Sequence, residues 1–162
     1  MGKGGNILGI IGILIGAGGL GFALITWTNQ SQVNIWNDYE SDYFTAPDLS
    51  YETVPNLYII VETSSPVQLY VTFSALAWLL PDPVSYADII FYFMIDGTRL
   101  LNPYTRVGPY KGNSTYDFHS VILQYFDASF PAGRHNISIV VWSETTGNII
   151  RESLLTAQSY PV

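Results

Sequence analysis

The chain has 162 residues, no cysteine and a formal net charge of −7, with only six lysines and arginines. The absence of cysteine excludes disulfides, thiol catalysis and cysteine-ligated zinc sites. Six cations are too few for a basic patch, so no nucleic-acid partner is expected. Beyond an apolar N-terminal segment about 130 residues remain, which suffices for one domain with its own core.

The first predicted element is an apolar segment with the sequence GNILGIIGILIGAGGLGFALITW, residues 5–27. Its part from Ile7 to Trp27 would span about 31 Å as a helix, close to the roughly 30 Å hydrocarbon core of a bilayer. The run is longer than the apolar region of a cleaved signal peptide. Lys3 precedes it, and an interfacial tryptophan ends it. Residues 1–27 are therefore predicted to be a transmembrane helix that leaves the rest of the chain outside, on a virion surface or a cell envelope.

Small residues recur along this segment at alternating spacings of four and three. On a helix such residues form one stripe, which allows a second helix to approach closely. The seven-residue period favours a left-handed bundle of helices. The alternative is that glycine is simply common in membrane segments, or that GAGG is a kink. The predicted helix-packing residues are Gly5, Gly9, Gly12, Gly16, Gly19 and Ala23, and Thr26 continues the stripe.

Residues 28–47 are interpreted as a polar and acidic linker that contains a first strand. Within it the stretch DYESD, residues 38–42, alternates acidic side chains as calcium loops do. It lacks the turn glycine and the distal glutamate of such a loop. The pattern favours a solvated acidic stretch, and no metal or cofactor is expected.

From residue 48 to residue 162, short runs of β-branched and aromatic residues alternate with clusters of Pro, Gly, Asn and Asp. This pattern predicts a single antiparallel all-β domain, a jelly-roll or Greek-key sandwich. In HNISIVVW the set His135, Ile137, Ile139 and Val141 is predicted to share one strand face. The predicted strands are Val33–Trp36, Leu49–Thr53, Leu57–Glu62, Val67–Leu76, Ile89–Ile95, Thr98–Leu101, Tyr116–Tyr125, Asn136–Trp142 and Ile149–Gln158.

Turn signals divide these strands. Asp96-Gly97 predicts a two-residue hairpin turn, and the prolines and glycines of Asn102–Ser114 predict a long loop. The runs LYIIVE, ADIIFYFMI and SVILQYF are apolar almost throughout. They are expected to be central strands, or strands covered by a neighbouring subunit.

Catalytic chemistry is not indicated. His119 lies two residues after Asp117 and on the same strand face, but no nucleophile can be placed beside this pair. His135 follows a turn and is expected to be a packed or surface residue. No phosphate-binding loop, dinucleotide motif, zinc-protease motif or nucleophile elbow is present. The protein is therefore predicted not to be an enzyme.

Three glycosylation sequons begin at Asn29, Asn113 and Asn136. Each is a candidate acceptor if the domain lies outside an archaeal or eukaryotic cell. Asn113 is favoured because it lies in the polar stretch KGNST, whereas Asn136 begins a strand and Asn29 is close to the predicted membrane.

The stretch FPAGRHNISIVVWSETTGNIIRESLLTAQSYP, which ends one residue before the C-terminus, resembles the closing hairpin of tumour necrosis factor and C1q-like jelly-roll domains. In those domains a PAG-x-H turn opens the penultimate strand. The whole layout, a glycine-rich anchor before a cysteine-free, tyrosine-rich β domain, resembles bitopic surface and virion proteins of hyperthermophilic archaea and their viruses. This resemblance implies a structural and oligomeric role.

The combined prediction is a non-enzymatic structural protein that self-associates as a trimer or pentamer. Its expected partners are copies of itself, a lipid membrane, other capsid or envelope proteins, and a host glycan. One alternative is a pilin-like filament subunit with the apolar helix in the core. Another is a receptor- or glycan-binding module that uses the aromatic side chains of Tyr104, Tyr110 and Tyr116.

Overall fold

The computed structural model describes residues 33–80, 87–110 and 116–162, which form nine β-strands. In this part of the chain no helix is long and apolar enough to cross a bilayer. The predicted anchor with its glycine stripe, Asn29 and Asn113 lie outside the described residues. The strands are β1 Asn34–Glu40, β2 Phe44–Thr45, β3 Tyr51–Thr63, β4 Val67–Leu79, β5 Ala87–Ile95, β6 Thr98–Tyr110, β7 Asp117–Phe130, β8 Gly133–Ser143 and β9 Ile149–Pro161.

The strands form two antiparallel sheets that pack face to face. Sheet A has the order β1-β9-β4-β7, and sheet B has the order β3-β8-β5-β6. Strand β2 also pairs with β9, so β1 and β2 act as one interrupted strand. Counted in this way, the eight strands have the pairing order of a jelly roll. The predicted all-β antiparallel sandwich is confirmed.

The core lies between the sheets and follows from strict alternation of side chains. Strand β4 alternates buried and half-buried positions along its whole length. The rings of Phe73 in sheet A and Phe91 in sheet B meet across the core with centroids 5.6 Å apart. The predicted shared face of β8 is confirmed, because Ile137, Ile139 and Val141 all belong to this core. Each fully buried side chain of this size contributes roughly 1.5–3 kcal/mol.

The prediction of a loop over Asn102–Ser114 is wrong for residues 102–110. Strand β6 continues through Pro103 and Pro109 to Tyr110. It can do so because β6 is an edge strand, where a missing backbone N–H need not break a ladder on both sides. Gly108 has a φ of +114°, and a Cβ there would lie 2.6 Å from the carbonyl oxygen of Ala87.

The expected closing hairpin is also wrong. Strands β8 and β9 do not pair with each other; β8 lies in sheet B and β9 in sheet A. The connection Glu144–Asn148 therefore crosses from one sheet to the other. The sequence pattern resembled a hairpin because both strands alternate and a glycine-containing turn separates them, and alternation does not reveal which strands pair.

A buried amide side chain holds this crossing in place. Asn148 Nδ2 donates to Ser143 Oγ at 2.8 Å, to Thr145 Oγ1 at 3.1 Å and to the Asp88 carbonyl oxygen at 3.2 Å. Its Oδ1 accepts the Leu80 backbone N–H at 2.8 Å. The side chain is fully buried. One residue thus joins the end of β4, the start of β5 and the end of β8.

We expect Asn148→Ala to lower the free energy of unfolding by about 2–4 kcal/mol, because it leaves several buried polar groups without partners. Urea unfolding of the full chain measures this loss. Asn34→Ala, an exposed change at the start of β1, serves as the control and should alter stability by less than about 0.5 kcal/mol. Equal stability of the two variants would contradict the role assigned to Asn148.

The predicted two-residue turn at Asp96-Gly97 is confirmed. Ile95 pairs with Thr98, and both turn residues have positive φ, +49° and +77°. The Asp96 carboxylate lies 2.7 Å from His135 Nδ1 and accepts the Asn136 backbone N–H at 2.8 Å. The His135 contact, followed by the Asn136 N–H, lowers the pKa of Asp96 below its ordinary value of 3.8.

A lowered pKa in the folded state means that this carboxylate stabilises the fold above about pH 4. The stabilisation is lost as the pH falls through the folded-state pKa. We expect Asp96→Asn to reduce stability near pH 6 by about 1 kcal/mol, since the carboxylate is half exposed. Asparagine tolerates positive φ, so the turn itself is preserved. Urea midpoints measured from about pH 6 to about pH 2 should converge for wild type and variant; a constant gap would contradict this account.

Candidate interaction surfaces

The outer surface of sheet A is a four-stranded apolar face. Its rows follow the strand register, and one row places Tyr39, Leu154, Ser74 and Ile122 side by side across β1, β9, β4 and β7. We define the apolar face as the outward side chains Ile35, Tyr39, Tyr70, Leu76, Trp78, Phe118, Ile122, Phe126 and Leu154.

Strand β7 contributes three strongly exposed side chains to this face. Ile122, Phe118 and Phe126 are 64%, 62% and 57% exposed. The run SVILQYF was expected to be central or covered by a neighbour, and β7 is an edge strand of sheet A. LYIIVE likewise lies in an edge strand, β3, whereas ADIIFYFMI forms the central strand β5 as predicted. The apolar outer residues of β7 are therefore left uncovered by the rest of residues 33–80, 87–110 and 116–162.

Charge is nearly absent from the apolar face. The three rows that contain Ile35, Asn37 and Tyr39 hold no charged outward side chain in β1, β9, β4 or β7. Arg151 lies in the following row, opposite Leu76. Its guanidinium stacks on Tyr43 at 4.7 Å and pairs with Glu152 at 3.1 Å. The face thus combines apolar, hydroxyl and amide groups, as the centres of protein interfaces do.

The outer surface of sheet B has a different chemistry. Arg99 extends from β6 so that its guanidinium carbon lies 3.7 Å from the ring centroid of Tyr51 and 5.0 Å from that of Tyr92. Tyr92 contacts Tyr51 and Tyr104, with ring centroids 5.9 and 5.8 Å apart. We call Tyr51, Tyr92, Arg99 and Tyr104 the tyrosine–arginine cluster. Burial, followed by the neighbouring Tyr51, raises the pKa of Tyr92.

Two of the aromatic residues expected around a loop, Tyr104 and Tyr116, do not come together. Tyr104 lies on sheet B against Tyr92. Tyr116 contacts Trp78 of sheet A, with ring centroids 6.1 Å apart. The two tyrosines separate because residues 102–110 are a strand and not a loop. The side chain of Tyr110 lies outside the described residues.

The two histidines each contact one aspartate. The expected pair of His119 and Asp117 is present, with Nε2 and Oδ2 2.8 Å apart. His135 contacts Asp96 in the turn described above. No group of three metal-ligating side chains occurs within residues 33–80, 87–110 and 116–162. The histidines thus hold local structure, and the absence of enzymatic activity stays a prediction.

The sequon residue Asn136 lies in β8 with an exposed side chain. Its partner hydroxyl residue, Ser138, is buried. Glycosylation of Asn136 stays a prediction.

A cleft of about 590 Å³ lies between β1 and β3, and its lining includes Trp36, Asp38 and Asn56. The Asp38 carboxylate accepts the backbone N–H groups of Tyr39 at 3.0 Å and of Tyr58 at 2.9 Å. The acidic stretch that was expected to be solvated thus supplies a carboxylate that joins the two sheets. The cleft is therefore part of the boundary between the two sheets.

Comparison with known proteins identifies structures of similar fold but no protein family. Neither the known protein families nor the curated proteins contain a match. A structure of T=1 particles derived from infectious bursal virus is similar, with a TM-score of 0.51 and 11% identity over 81% of this chain and 32% of that chain. This likeness, at such low identity, shows the fold alone.

Two further structures are similar at slightly lower scores. The VP2 subviral particle of infectious bursal disease virus has a TM-score of 0.49 and 12% identity over 81% of this chain and 33% of that chain. Dimeric latent PorU from Porphyromonas gingivalis has a TM-score of 0.49 and 10% identity over 82% of this chain and 13% of that chain. This chain spans a third or less of each of these proteins.

Proposed function

We propose that the protein is a structural component that assembles with copies of itself through the apolar face of sheet A. The observation that carries this proposal is the exposure of Phe118, Ile122 and Phe126 on a nearly uncharged four-stranded surface. Monomeric soluble proteins rarely leave such a surface open. The same fold occurs in a structure of T=1 viral particles, which supports a role in building a particle or an envelope layer.

The size of the apolar face suits a specific contact. Four strands about 4.8 Å apart, over the eight steps of about 3.3 Å from Phe118 to Phe126, cover about 500 Å². Two copies would bury about 1,000 Å² in total, which reaches the lower bound of a specific interface. The face is also electrostatically compatible with a second copy of itself. Association would remove no charged side chain of the three uncharged rows from water.

The proposal includes the N-terminal segment as a second contact. Residues 5–27 anchor the chain in a membrane, and the glycine stripe packs anchors of neighbouring copies together. A self-complementary contact of the apolar face gives a dimer, whereas a head-to-tail contact closes a ring such as a trimer or pentamer. The sandwich then lies outside the membrane on a virion or an archaeal envelope.

Ile122→Asp should weaken the assembly, because it places a charge at the centre of the apolar face. We expect self-association to weaken by at least about 100-fold, as measured by analytical ultracentrifugation of the full chain in a mild detergent. Ile122 is mostly exposed, so the urea midpoint should change little.

Leu101→Asp is the matched control for this experiment. It introduces the same charge at an exposed aliphatic position, but in β6 of sheet B. The control should assemble like the wild type. An unchanged oligomer in Ile122→Asp, or a wild type that is monomeric at all concentrations, would show that the apolar face is not a contact between copies.

The glycine stripe is tested by replacing Gly12 and Gly16 together with leucine. Bulky side chains on the stripe prevent close helix approach, so the oligomer should become smaller or dissociate. Replacing Ile11 and Ile15 with leucine, away from the stripe, should leave its size unchanged. Unaltered assembly in the glycine variant would reject the stripe, and fibres in negative stain of the wild type would favour the filament alternative.

A further inference from the structure

The tyrosine–arginine cluster presents a cation on an aromatic surface. The guanidinium of Arg99 lies over Tyr51 at 3.7 Å, and Tyr104 extends the aromatic surface from the other side of Tyr92. Tyr104 is 54% exposed and Tyr51 is similarly open. The cluster occupies the outer surface of sheet B, so it is separate from the apolar face of sheet A.

The charge of Arg99 has no counterion in the described part of the chain. Arg106 pairs with the buried carboxylate of Asp88, and Arg151 pairs with Glu152. No carboxylate of residues 33–80, 87–110 or 116–162 lies within 4.0 Å of Arg99, and none of these residues accepts a hydrogen bond from it. A guanidinium carries five N–H donors in a planar fork. Its Nη1 is buried and has no hydrogen-bond partner among residues 33–80, 87–110 and 116–162, so this part of the chain leaves donors of the guanidinium unused.

Stacking holds this cation in a fixed orientation. Two tyrosine rings contact the guanidinium, so the planar fork loses little freedom when an anion binds. A guanidinium fork matches the geometry of a carboxylate or sulfate, which can accept two parallel hydrogen bonds. The phenol groups around it can donate to and accept from hydroxyl groups. The rings also offer flat apolar surface for a ring-shaped ligand.

We propose that the tyrosine–arginine cluster is a binding site for an acidic sugar. The carboxylate or sulfate of the sugar pairs with Arg99, and its pyranose ring lies against Tyr104. In a chain with a net charge of −7, an acidic ligand is repelled unless one specific cation receives it, so binding should depend on Arg99. This site does not require the proposed self-assembly, because it uses the opposite sheet.

The test uses the full chain in a mild detergent, produced in a bacterial host so that Asn136 on the same sheet carries no glycan. The probes are sialyllactose against lactose, and a sulfated disaccharide against its unsulfated parent, titrated by calorimetry. At least one acidic probe should bind at least about tenfold more tightly than its neutral counterpart. Arg99→Gln should remove this preference and lower the affinity for the acidic probe at least tenfold.

Two further variants make the result specific. Arg134→Gln makes the same charge change in β8 of the same sheet, outside the cluster, and should bind like the wild type. Tyr104→Ala removes an exposed ring at the sheet edge without a cost in the core, and should weaken binding of the acidic probe while the urea midpoint is retained.

The proposal is overturned by any of four results. These are no binding of any probe, equal binding of acidic and neutral probes, equal losses in the Arg99 and Arg134 variants, and full competition by inorganic sulfate at the concentration of the sugar. The last result would show an anion site without sugar recognition. If Arg99→Gln does not fold, the Tyr104 variant together with the acidic preference of the wild type decides the question.

Discussion

The crossing between the two sheets after β8 depends on one buried amide, that of Asn148. A connection that leaves one sheet and enters the other cannot use strand pairing to satisfy its own backbone. Asn148 replaces that pairing, since its side chain bonds to Ser143, Thr145, Asp88 and Leu80, and its carbonyl oxygen accepts the Ala46 N–H at 2.8 Å. The last strand can then lie between β1 and β4, which completes sheet A.

Completion of sheet A sets the chemistry of the two outer surfaces. Strand β9 enters beside β4 with Leu154 and Thr156 outward, and the resulting face is apolar and almost free of charge. The outer surface of sheet B instead carries the stacked side chains of Arg99 and Tyr51, and Val140 of its strand β8 is buried. Within the described residues, the outer surface of sheet A is thus uncovered, and that of sheet B carries a guanidinium with unused donors.

Strand positions could be predicted because apolar alternation is local, and the face of β8 and the turn at Asp96-Gly97 follow from a few adjacent residues. The part of β6 beyond Leu101 could not be predicted. Prolines are incompatible with a central strand but are tolerated in an edge strand. Whether a strand lies at an edge depends on the pairing of the whole sheet, which local sequence does not reveal. The apolar outer surface of β7 could be predicted, because the run SVILQYF is apolar almost throughout. The contact of Arg99 with Tyr51 could not be predicted from the sequence, because it depends on the order of the strands in the sheet.

The prolines of sheet B have a consequence for how copies of the chain can join. Both of its edge strands contain proline, Pro55 in β3 and Pro103 and Pro109 in β6. Each proline removes one backbone donor from its strand, which makes that edge a poorer template for an additional strand from another molecule. Sheet B therefore resists growth into a continuous intermolecular ladder of the amyloid type, even at the high local concentration of a densely packed layer.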